Sequence, residues 1–374
     1  MKKELELYIH IPFCVKKCDY CDFLSGLADA GRQRDYVEAL KKEIKNCGDF
    51  AAYQVSSVFI GGGTPSILPG EMISDIMETV REKFDLCSDA EISIEANPGT
   101  VDWKKMEIYR KSGINRISFG CQSADNRELK MLGRIHTWED FQESYQIARD
   151  AGFANINVDL MSGLPGQTLA SWETTLRKIA NLQPEHISAY SLIIEEGTPF
   201  AKKNLALPDE DEERAMYENT HEILESFGYH QYEISNYAKN GRECRHNLGY
   251  WKRTEYLGLG LGSSSLVNEI RFSNTSDMER YLKNCENPES IREQQEKLSV
   301  EDQMAEYMIL GLRMLKGVSV SKFKEKFGCE LYEAYGEIIG KYIKMELLEK
   351  EGDYLHFTRC GISVSNPVLA DFLP

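Results

Sequence analysis

The sequence lacks any long hydrophobic run and has fewer basic than acidic residues. None of its 374 residues belong to an apolar stretch of the roughly 18 to 20 residues that a membrane-spanning helix needs. The first segment, MKKELELYIHIPFC, has no apolar core or small-residue cleavage site of a signal peptide. With 44 Lys and Arg against 60 Asp and Glu, the net charge of -16 argues against nucleic acid or an anionic membrane surface as a direct partner. We therefore expect a cytoplasmic protein.

The cysteines do not have the distribution of a disulfide framework. Of the ten, seven stand alone in the sequence: Cys47, Cys87, Cys121, Cys244, Cys285, Cys329 and Cys360. An isolated cysteine is by default a small buried apolar residue. In a reducing compartment, a close group of cysteines is expected to be a metal or redox site instead.

Short apolar runs alternate with amphipathic helical stretches over the first 230 residues or so. The predicted strands begin at Leu5, Val55, Ala90, Arg116, Asn155 and His186, and the predicted helices span 32–47, 70–85, 102–112, 137–151, 169–181 and 209–227. Six strand-then-helix units in succession predict parallel strands joined by right-handed crossovers. Because the strands are apolar runs, we expect both faces of the sheet to be covered.

A doubly wound sheet and a partial barrel both fit this order of elements. The chemically informative residues fall at the C-terminal ends of successive strands: Cys14, GGGTPS (61–66), Glu95, Gln122 and Asp159. A flat sheet would hold these ends far apart, whereas the mouth of a barrel gathers them. We therefore predict an α/β fold with a partial (β/α)6, TIM-like barrel.

The pattern changes after about residue 228. Helices predicted near 299–316, 319–327 and 332–348, followed by a hairpin over 347–358, indicate an α+β, winged-helix-like C-terminal domain. The acidic composition argues against DNA binding there. The glycine-rich YLGLGLGSSS lacks the context of a dinucleotide fingerprint and predicts close-packed backbone. The predicted domains are 1–228, a connecting region 229–295, and 296–374.

Cys14, Cys18 and Cys21 lie close together directly behind the first predicted strand. Cys18 and Cys21 have the C-x-x-C spacing of thioredoxin-like redox sites, but that interpretation leaves Cys14 without a role. Zinc held by the three thiolates and His10 would be tetrahedral, although His10 lies within the strand. A cubane iron–sulfur cluster has four irons, so three thiolates leave one iron open to a small molecule. This third interpretation explains why there are three cysteines.

The spacing C-x3-C-x2-C after the first strand of a β/α series resembles the radical S-adenosylmethionine enzymes. In that superfamily the open iron of a [4Fe-4S] cluster binds S-adenosylmethionine, which is cleaved to an adenosyl radical on electron delivery. GGGTPS strengthens the likeness, because glycines let backbone groups approach a ligand closely. The resemblance implies cluster ligands at Cys14, Cys18 and Cys21 and cofactor contacts at Tyr8, Tyr20, Gly62, Gly63, Thr64, Glu95, Gln122, Arg134, Asp159 and Ile193.

Several segments resemble one family in this superfamily, the oxygen-independent coproporphyrinogen III oxidase group: YIHIPFC, GGGTPS, ISIEANPGT, FGCQS, LMSGLPGQT and RHNLGYW. The oxidases have a further cysteine where this chain has Phe23, and a longer N-terminal extension than the seven residues before Tyr8. Both differences favour the HemW branch, described as haem chaperones. Its H-N-x-x-Y-W motif is matched by His246, Asn247, Tyr250 and Trp251. Histidine is a suitable axial ligand for haem iron, and Cys244 is the alternative second ligand.

The resemblance implies a haem chaperone that carries a [4Fe-4S] cluster and S-adenosylmethionine. Its partners would be haem, an electron donor such as flavodoxin or ferredoxin, and apo-haemoprotein clients, with membrane contact only through those clients. One alternative is an enzyme that oxidatively decarboxylates coproporphyrinogen III, and another is a radical enzyme that modifies haem. A zinc- or thiol-based regulatory module is the alternative without radical chemistry.

Overall fold

The computed structural model describes residues 2–374, and its first six strands are parallel and adjacent in chain order. These strands are β1 (Lys3–Ile11), β2 (Tyr53–Gly62), β3 (Leu86–Ala96), β4 (Arg116–Gln122), β5 (Ile156–Ser162) and β6 (His186–Ser191). The helices among and after them are α1 (Ala30–Asn46), α2 (Gly70–Lys83), α3 (Trp103–Lys111), α4 (Asn126–Met131), α5 (Trp138–Asp150), α6 (Leu169–Asn181) and α7 (Glu210–Ser226). The six predicted strand-helix units are confirmed. The short helix α4 was not predicted.

Polar caps set where these helices begin. Asp29 accepts a hydrogen bond from the backbone N–H of Arg32 at the start of α1, and Thr137 and Thr168 form capping boxes at α5 and α6. Helix α7 begins after Asp209, with four acidic residues in its first turn. These acidic groups face the positive end of the helix dipole, so the charge run in this stretch is a helix start.

The strands present different chemistry on their two faces. Both faces are buried, as expected, but only the outer face is apolar. On the inner face, side chains from all six strands line one cavity: Tyr8, Phe59, Glu95, Arg116, Ser118, Asn157, Asp159 and Ser188. Six neighbouring strands can line one cavity only if the sheet curves, so the predicted partial barrel is confirmed. Its interior is polar, unlike the packed apolar interior of a TIM barrel.

The region after α7 extends this sheet at both edges. It comprises β7 (His230–Gln231), β8 (Asn236–Ala238), α8 (Arg245–Trp251), β9 (Tyr256–Leu259), β10 (Ser264–Val267), β11 (Ile270–Asn274), α9 (Met278–Asn284) and β12 (Arg292–Lys297). The strand order is β12-β11-β10-β9-β1-β2-β3-β4-β5-β6-β8-β7. Side chains such as Leu257, Tyr281 and Ile291 pack in the same core as the barrel strands. Residues 229–295 therefore continue the barrel core.

The glycine-rich YLGLGLGSSS forms β9 and the turn into β10. A Cβ atom at Gly258 would lie 2.2 Å from the carbonyl oxygen of Ser264, which is the close backbone packing that the sequence predicts. Glu43 of α1 is hydrogen bonded to the backbone of this turn at Gly260. Its buried carboxylate accepts hydrogen bonds from the Gly260 N–H at 2.8 Å and from the Tyr281 hydroxyl at 2.5 Å.

The last part of the chain has its own apolar core and a separate antiparallel sheet in the order β13-β15-β14. Its elements are α10 (Val300–Gly311), β13 (Val318–Ser319), α11 (Val320–Phe327), α12 (Leu331–Lys344), β14 (Leu348–Glu351), β15 (Tyr354–Phe357), α13 (Arg359–Ser363) and α14 (Ser365–Ala370). Helices α10, α11 and α12 and the hairpin of β14 and β15 form the winged-helix-like arrangement that the sequence predicts. Three short 3-10 helices complete the structure, at Pro65–Ile67, Phe200–Lys202 and Pro288–Ile291. Within residues 2–374, no helix combines the length and apolar character of a membrane span.

Candidate functional site

The C-terminal ends of the strands surround a cavity of about 400 Å³ at the mouth of the barrel. The structure brings together here twelve of the thirteen residues predicted to bind the cluster or its ligand: Cys14, Cys18, Tyr20, Cys21, Gly62, Gly63, Thr64, Glu95, Gln122, Arg134, Asp159 and Ile193. The exception, Tyr8, lies deeper in the barrel, where it lines two neighbouring cavities. The convergence expected from a barrel is therefore observed.

The three thiols lie on one loop, which leaves β1 and is closed by its own backbone. The Cys14 N–H donates to the Gly26 carbonyl at 3.0 Å, and the Gly26 N–H donates to the Pro12 carbonyl at 2.9 Å. The Asp19 N–H donates to the Leu132 carbonyl at 3.1 Å, which fastens the middle of the loop to the end of α4. All three cysteines are free and partly exposed. The loop thus presents three thiols to the cavity on a braced backbone.

The thiols are not gathered as they would be around one ion. Two thiolates on one zinc lie within about 4.6 Å of each other, twice the Zn–S distance. In residues 2–374, no three His, Cys, Asp or Glu side chains are grouped so that they could hold a metal ion. His10, the fourth ligand of the zinc interpretation, is hydrogen bonded through Nε2 to the Leu24 carbonyl and through Nδ1 to Tyr8. Cluster thiolates each bind a different iron, so a cluster does not require the three sulfur atoms to converge on one ion.

A hydrogen-bond network centred on Asn97 joins two of the thiols. The Thr64 hydroxyl lies 3.5 Å from Cys14 Sγ, and an Arg134 N–H donates to Cys18 Sγ at 3.6 Å. Asn97 connects these donors, because its amide N–H donates to Thr64 Oγ1 at 2.8 Å and its Oδ1 accepts from Arg134 at 2.7 Å. Sequence reasoning missed Asn97. Its position two residues after Glu95, in the quoted segment ISIEANPGT, was the available signal.

The glycine turn after β2 lies directly against the cysteine loop. Gly62 has φ +109°, a conformation that side-chain-bearing residues rarely adopt, and its N–H donates to Glu95 Oε2 at 3.0 Å. A Cβ atom at Gly63 would lie 2.6 Å from the carbonyl oxygen of Phe13. The Thr64 N–H donates to that same carbonyl at 2.7 Å. Glycine is therefore required here by close approach and by backbone geometry.

Two half-buried carboxyl groups, those of Glu95 and Asp159, give the inner wall its electrostatic character. Burial, and then the negative charge of Asp159, raise the pKa of Glu95 to about 7. Burial also raises the pKa of Asp159, which accepts hydrogen bonds from Ser118 at 3.0 Å and Asn157 at 2.7 Å. Gln122 has φ +69° and accepts from the Tyr190 hydroxyl at 3.0 Å. Backbone strain at such a polar residue is typical of ligand sites.

The segment predicted to contact haem forms α8, which closes the bottom of the barrel. His246 and Asn247 line the inner cavity of about 250 Å³ together with Tyr250 and Tyr8. Trp251 does not join them: the Arg313 guanidinium lies 4.6 Å from its ring centroid. Cys244 is fully buried, and its Sγ lies 3.5 Å from a carboxylate oxygen of Glu91.

The imidazole of His246 is enclosed in this conformation. It is 1% exposed, with Nδ1 hydrogen bonded to Ser57 at 2.8 Å and Nε2 to the Tyr250 hydroxyl at 3.1 Å. Phe59 stacks on the ring at 5.2 Å. Burial, followed by the charge of Arg116, lowers the pKa of His246 to about 3. Neither ring nitrogen is free to bind iron unless one of these hydrogen bonds is released.

Comparison with known families and proteins agrees with this geometry. Residues 8–179 match the radical SAM superfamily, and residues 298–364 match the HemN C-terminal domain. The solved structure of coproporphyrinogen III oxidase (HemN) from Escherichia coli has a TM-score of 0.87 at 24% sequence identity, covering 99% of this chain and 90% of that chain. Together, these matches place the chain in the radical S-adenosylmethionine superfamily, with a HemN-type C-terminal domain.

The particular family follows from the full-length relatives. Proteins named heme chaperone HemW match from end to end: that of Lactococcus lactis is 37% identical, over 100% of this chain and 98% of the relative. Those of Bacillus subtilis and E. coli are each 36% identical, over 98% and 99% of this chain and 98% of each relative. This chain belongs to the HemW family.

Proposed function

We propose that this protein binds haem and transfers it to apo-haemoproteins, using a resident [4Fe-4S] cluster and S-adenosylmethionine at the barrel mouth. The single observation that carries the proposal is the end-to-end similarity to proteins named heme chaperone HemW. The cavity with three thiols supports the cofactor part of it. The acidic composition and the absence of a spanning helix in residues 2–374 are compatible with work in the cytoplasm.

The residues at the mouth fit a cluster with one open iron. Cys14, Cys18 and Cys21 would hold it, and the [4Fe-4S] cluster supplies one-electron chemistry and a coordination position for S-adenosylmethionine. The backbone of Gly62 and Gly63 lines the cavity and would offer its polar groups to the amino end of that ligand, because without Cβ atoms this turn packs directly against His10 and Phe13. Around it lie candidates for hydrogen bonds to ribose and carboxylate: Tyr20, Thr64, Glu95, Gln122, Arg134 and Asp159. Ile193, which is 69% exposed, would cover the outer side.

Anaerobic purification and reconstitution test the cofactor part. We expect a brown protein that contains iron and sulfide and that binds S-adenosylmethionine. Each of the variants Cys14→Ala, Cys18→Ala and Cys21→Ala should lose the cluster, whereas Cys329→Ala, a partly exposed cysteine in the other core, should retain it. A colourless zinc protein, or a cluster retained in any of the three variants, would contradict the assignment.

Haem contact by α8 forms the second part of the proposal. His246 is the candidate axial ligand, and it can act only after Nε2 leaves Tyr250 or Nδ1 leaves Ser57. The inner cavity of about 250 Å³ is smaller than a typical pocket for a drug-sized ligand, roughly 300 to 1,000 Å³, so the macrocycle would not be enclosed there. Haem loading would therefore involve movement of α8 or binding from the adjoining cavity of about 410 Å³.

Haem titration of two variants tests this part. His246→Ala should weaken haem binding at least about tenfold, the effect of losing roughly 1.4 kcal/mol. Tyr250→Phe is the matched control, because it removes the competing hydrogen bond to Nε2 but keeps the ring, and it should bind haem at least as tightly as the wild type. Equal affinity in His246→Ala and the wild type would reject His246 as the ligand. Transfer is measured by spectral conversion of an apo-haemoprotein mixed with the haem-loaded protein.

An oxidase is the second candidate, and the shared fold with coproporphyrinogen III oxidase is the observation that favours it. Incubation with coproporphyrinogen III, S-adenosylmethionine and a reductant under anaerobic conditions distinguishes the two functions. We expect no decarboxylated porphyrinogen, and haem that is recovered intact by mass spectrometry. A flavodoxin or ferredoxin would be the physiological electron donor, tested by its reduction of the cluster.

A further inference from the structure

The guanidinium group of Arg116 is buried in the barrel without a direct counterion. Arg116 begins β4 and lines the inner cavity, and it is 1% exposed. Its hydrogen bond to Ser93 Oγ is long, at 3.4 Å, and its Nε has no partner. No carboxylate oxygen within residues 2–374 lies within 4.0 Å of its nitrogens. Burial of a charge without a partner is costly, so the site is poised for an anion.

The charged and titratable groups around Arg116 do not neutralise it at contact distance. Its charge influences Glu95, Asp159 and His246, which line the same cavity. Outside that lining, Glu91, Cys244, Tyr232 and His186 also lie within its electrostatic reach. Asp159 is already occupied by hydrogen bonds from Ser118 and Asn157. The guanidinium therefore retains donors that face the cavity.

A second polar group in the same cavity is also free. Within the described chain, the side-chain amide of Asn247 makes no hydrogen bond to another residue, although it lines the same cavity as Arg116. A guanidinium binds a carboxylate through two parallel N–H donors, and an amide N–H supplies a third. The cavity of about 250 Å³ has room for a carboxylate arm, and the acids that also line it repel a dianion such as phosphate more strongly than a singly charged carboxylate.

We propose that Arg116 and Asn247 form a receptor for a ligand carboxylate, and that this carboxylate is a propionate of haem. The assignment rests on the proposed function and gives Asn247 of the H-N-x-x-Y-W segment a role distinct from iron ligation. The inner cavity shares Tyr8, Glu95 and Tyr250 with the adjoining cavity of about 410 Å³. The lining of that second cavity is partly aromatic, with Phe23 and Tyr256 beside the two shared tyrosines. A macrocycle in that cavity extends one propionate past Tyr8 and Tyr250 to Arg116.

Titration of the reconstituted protein with haem and with haem dimethyl ester tests the receptor, because the ester keeps the macrocycle and removes both carboxylates. Wild type should bind haem at least about tenfold more tightly than the ester. In Arg116→Met the ratio should fall to near one, and in Asn247→Leu it should fall several-fold. Arg127→Met is the control for net charge, since its side chain is 90% exposed, and it should keep the wild-type ratio. An unchanged ratio in Arg116→Met would overturn the proposal.

Three further measurements separate the causes of a failure. Arg116→Met without ligand should keep a cooperative thermal transition, which then serves as the baseline for the ligand effects; loss of that transition would assign Arg116 a structural role and overturn the receptor. If wild type binds neither macrocycle, the haem proposal fails on its own. The receptor is then tested by measuring melting temperatures with sodium propionate and with propionamide. Propionate, but not propionamide, should raise the melting temperature of the wild type, and neither should raise that of Arg116→Met. A tenfold loss of S-adenosylmethionine affinity in Arg116→Met with an unchanged haem-to-ester ratio would assign the receptor to that cofactor's carboxylate instead.

Discussion

Replacement of Glu6 by glutamine should stabilise the protein increasingly as the pH rises. Glu6 lies on β1 inside the barrel and is 2% exposed. One carboxylate oxygen accepts from Ser57 at 3.1 Å, and the other has no hydrogen-bond partner. Burial raises the pKa of Glu6 from 4.5 to about 9, so the folded protein holds this carboxyl neutral near pH 7. Glutamine has the same shape and is neutral at every pH.

The sign and size follow from proton linkage. Below pH 4.5 both folded and unfolded chains keep the proton, and the stability associated with Glu6 is fully present. Between pH 4.5 and about 9 only the unfolded chain releases it, so stability falls by about 1.4 kcal/mol per pH unit. From pH 5.5 to pH 8.0 the wild type should therefore lose about 3 kcal/mol relative to Glu6→Gln.

Urea denaturation of both proteins at pH 5.5, 6.5 and 8.0 measures this difference. Glu4→Gln is the matched control, because Glu4 lies on the same strand with its side chain exposed, and its curve should run parallel to that of the wild type. A stability difference between Glu6→Gln and wild type that stays constant with pH would show that Glu6 is ionised in the folded protein. Burial would then not be what decides the protonation of groups in the barrel interior.

Three other substitutions test the site and its supports. Asn97→Leu removes the amide that orients Thr64 and Arg134 toward two of the thiols. The reduction potential of the cluster should therefore fall by some tens of millivolts in an EPR-monitored redox titration, while the iron content stays unchanged. An unchanged potential would reject the role of Asn97 in tuning the cluster. Gly63→Ala forces a Cβ toward the carbonyl oxygen of Phe13, so calorimetry should show S-adenosylmethionine binding weakened by at least about tenfold. Affinity equal to that of the wild type would contradict this prediction. Arg253→Met removes a buried guanidinium that pairs with Glu306 at 2.7 Å and with Glu269, while Glu306 keeps its ion pair to Arg271. Stability in urea should therefore fall by about 1 to 3 kcal/mol, and a neutral effect would show that this network is dispensable.

Local sequence patterns were sufficient to predict the barrel and the residues at the strand ends that form its mouth. Strand and helix periods marked the six β/α units, and strand C-termini must meet in a curved parallel sheet. Hence the cysteine loop, the GGGTPS turn, Glu95 and Asp159 could be predicted to face one cavity, and they do. The additional strands β9 to β12 were not predicted. They are short, and β9 owes its position to pairing with β1, some 250 residues earlier in the chain.

What the sequence by itself determined, therefore, is the class of fold, the cysteine loop and the polar groups at the strand ends, because these depend on short-range periodicity and spacing. The contacts at Tyr20, Arg134 and Ile193 were implied by the family resemblance. The tertiary structure alone decided the state of the interior. It placed Arg116 without a counterion, joined two thiols through Asn97, and enclosed His246 between Ser57 and Tyr250. Burial and hydrogen-bond partners arise from residues far apart in the chain, so no local pattern encodes them.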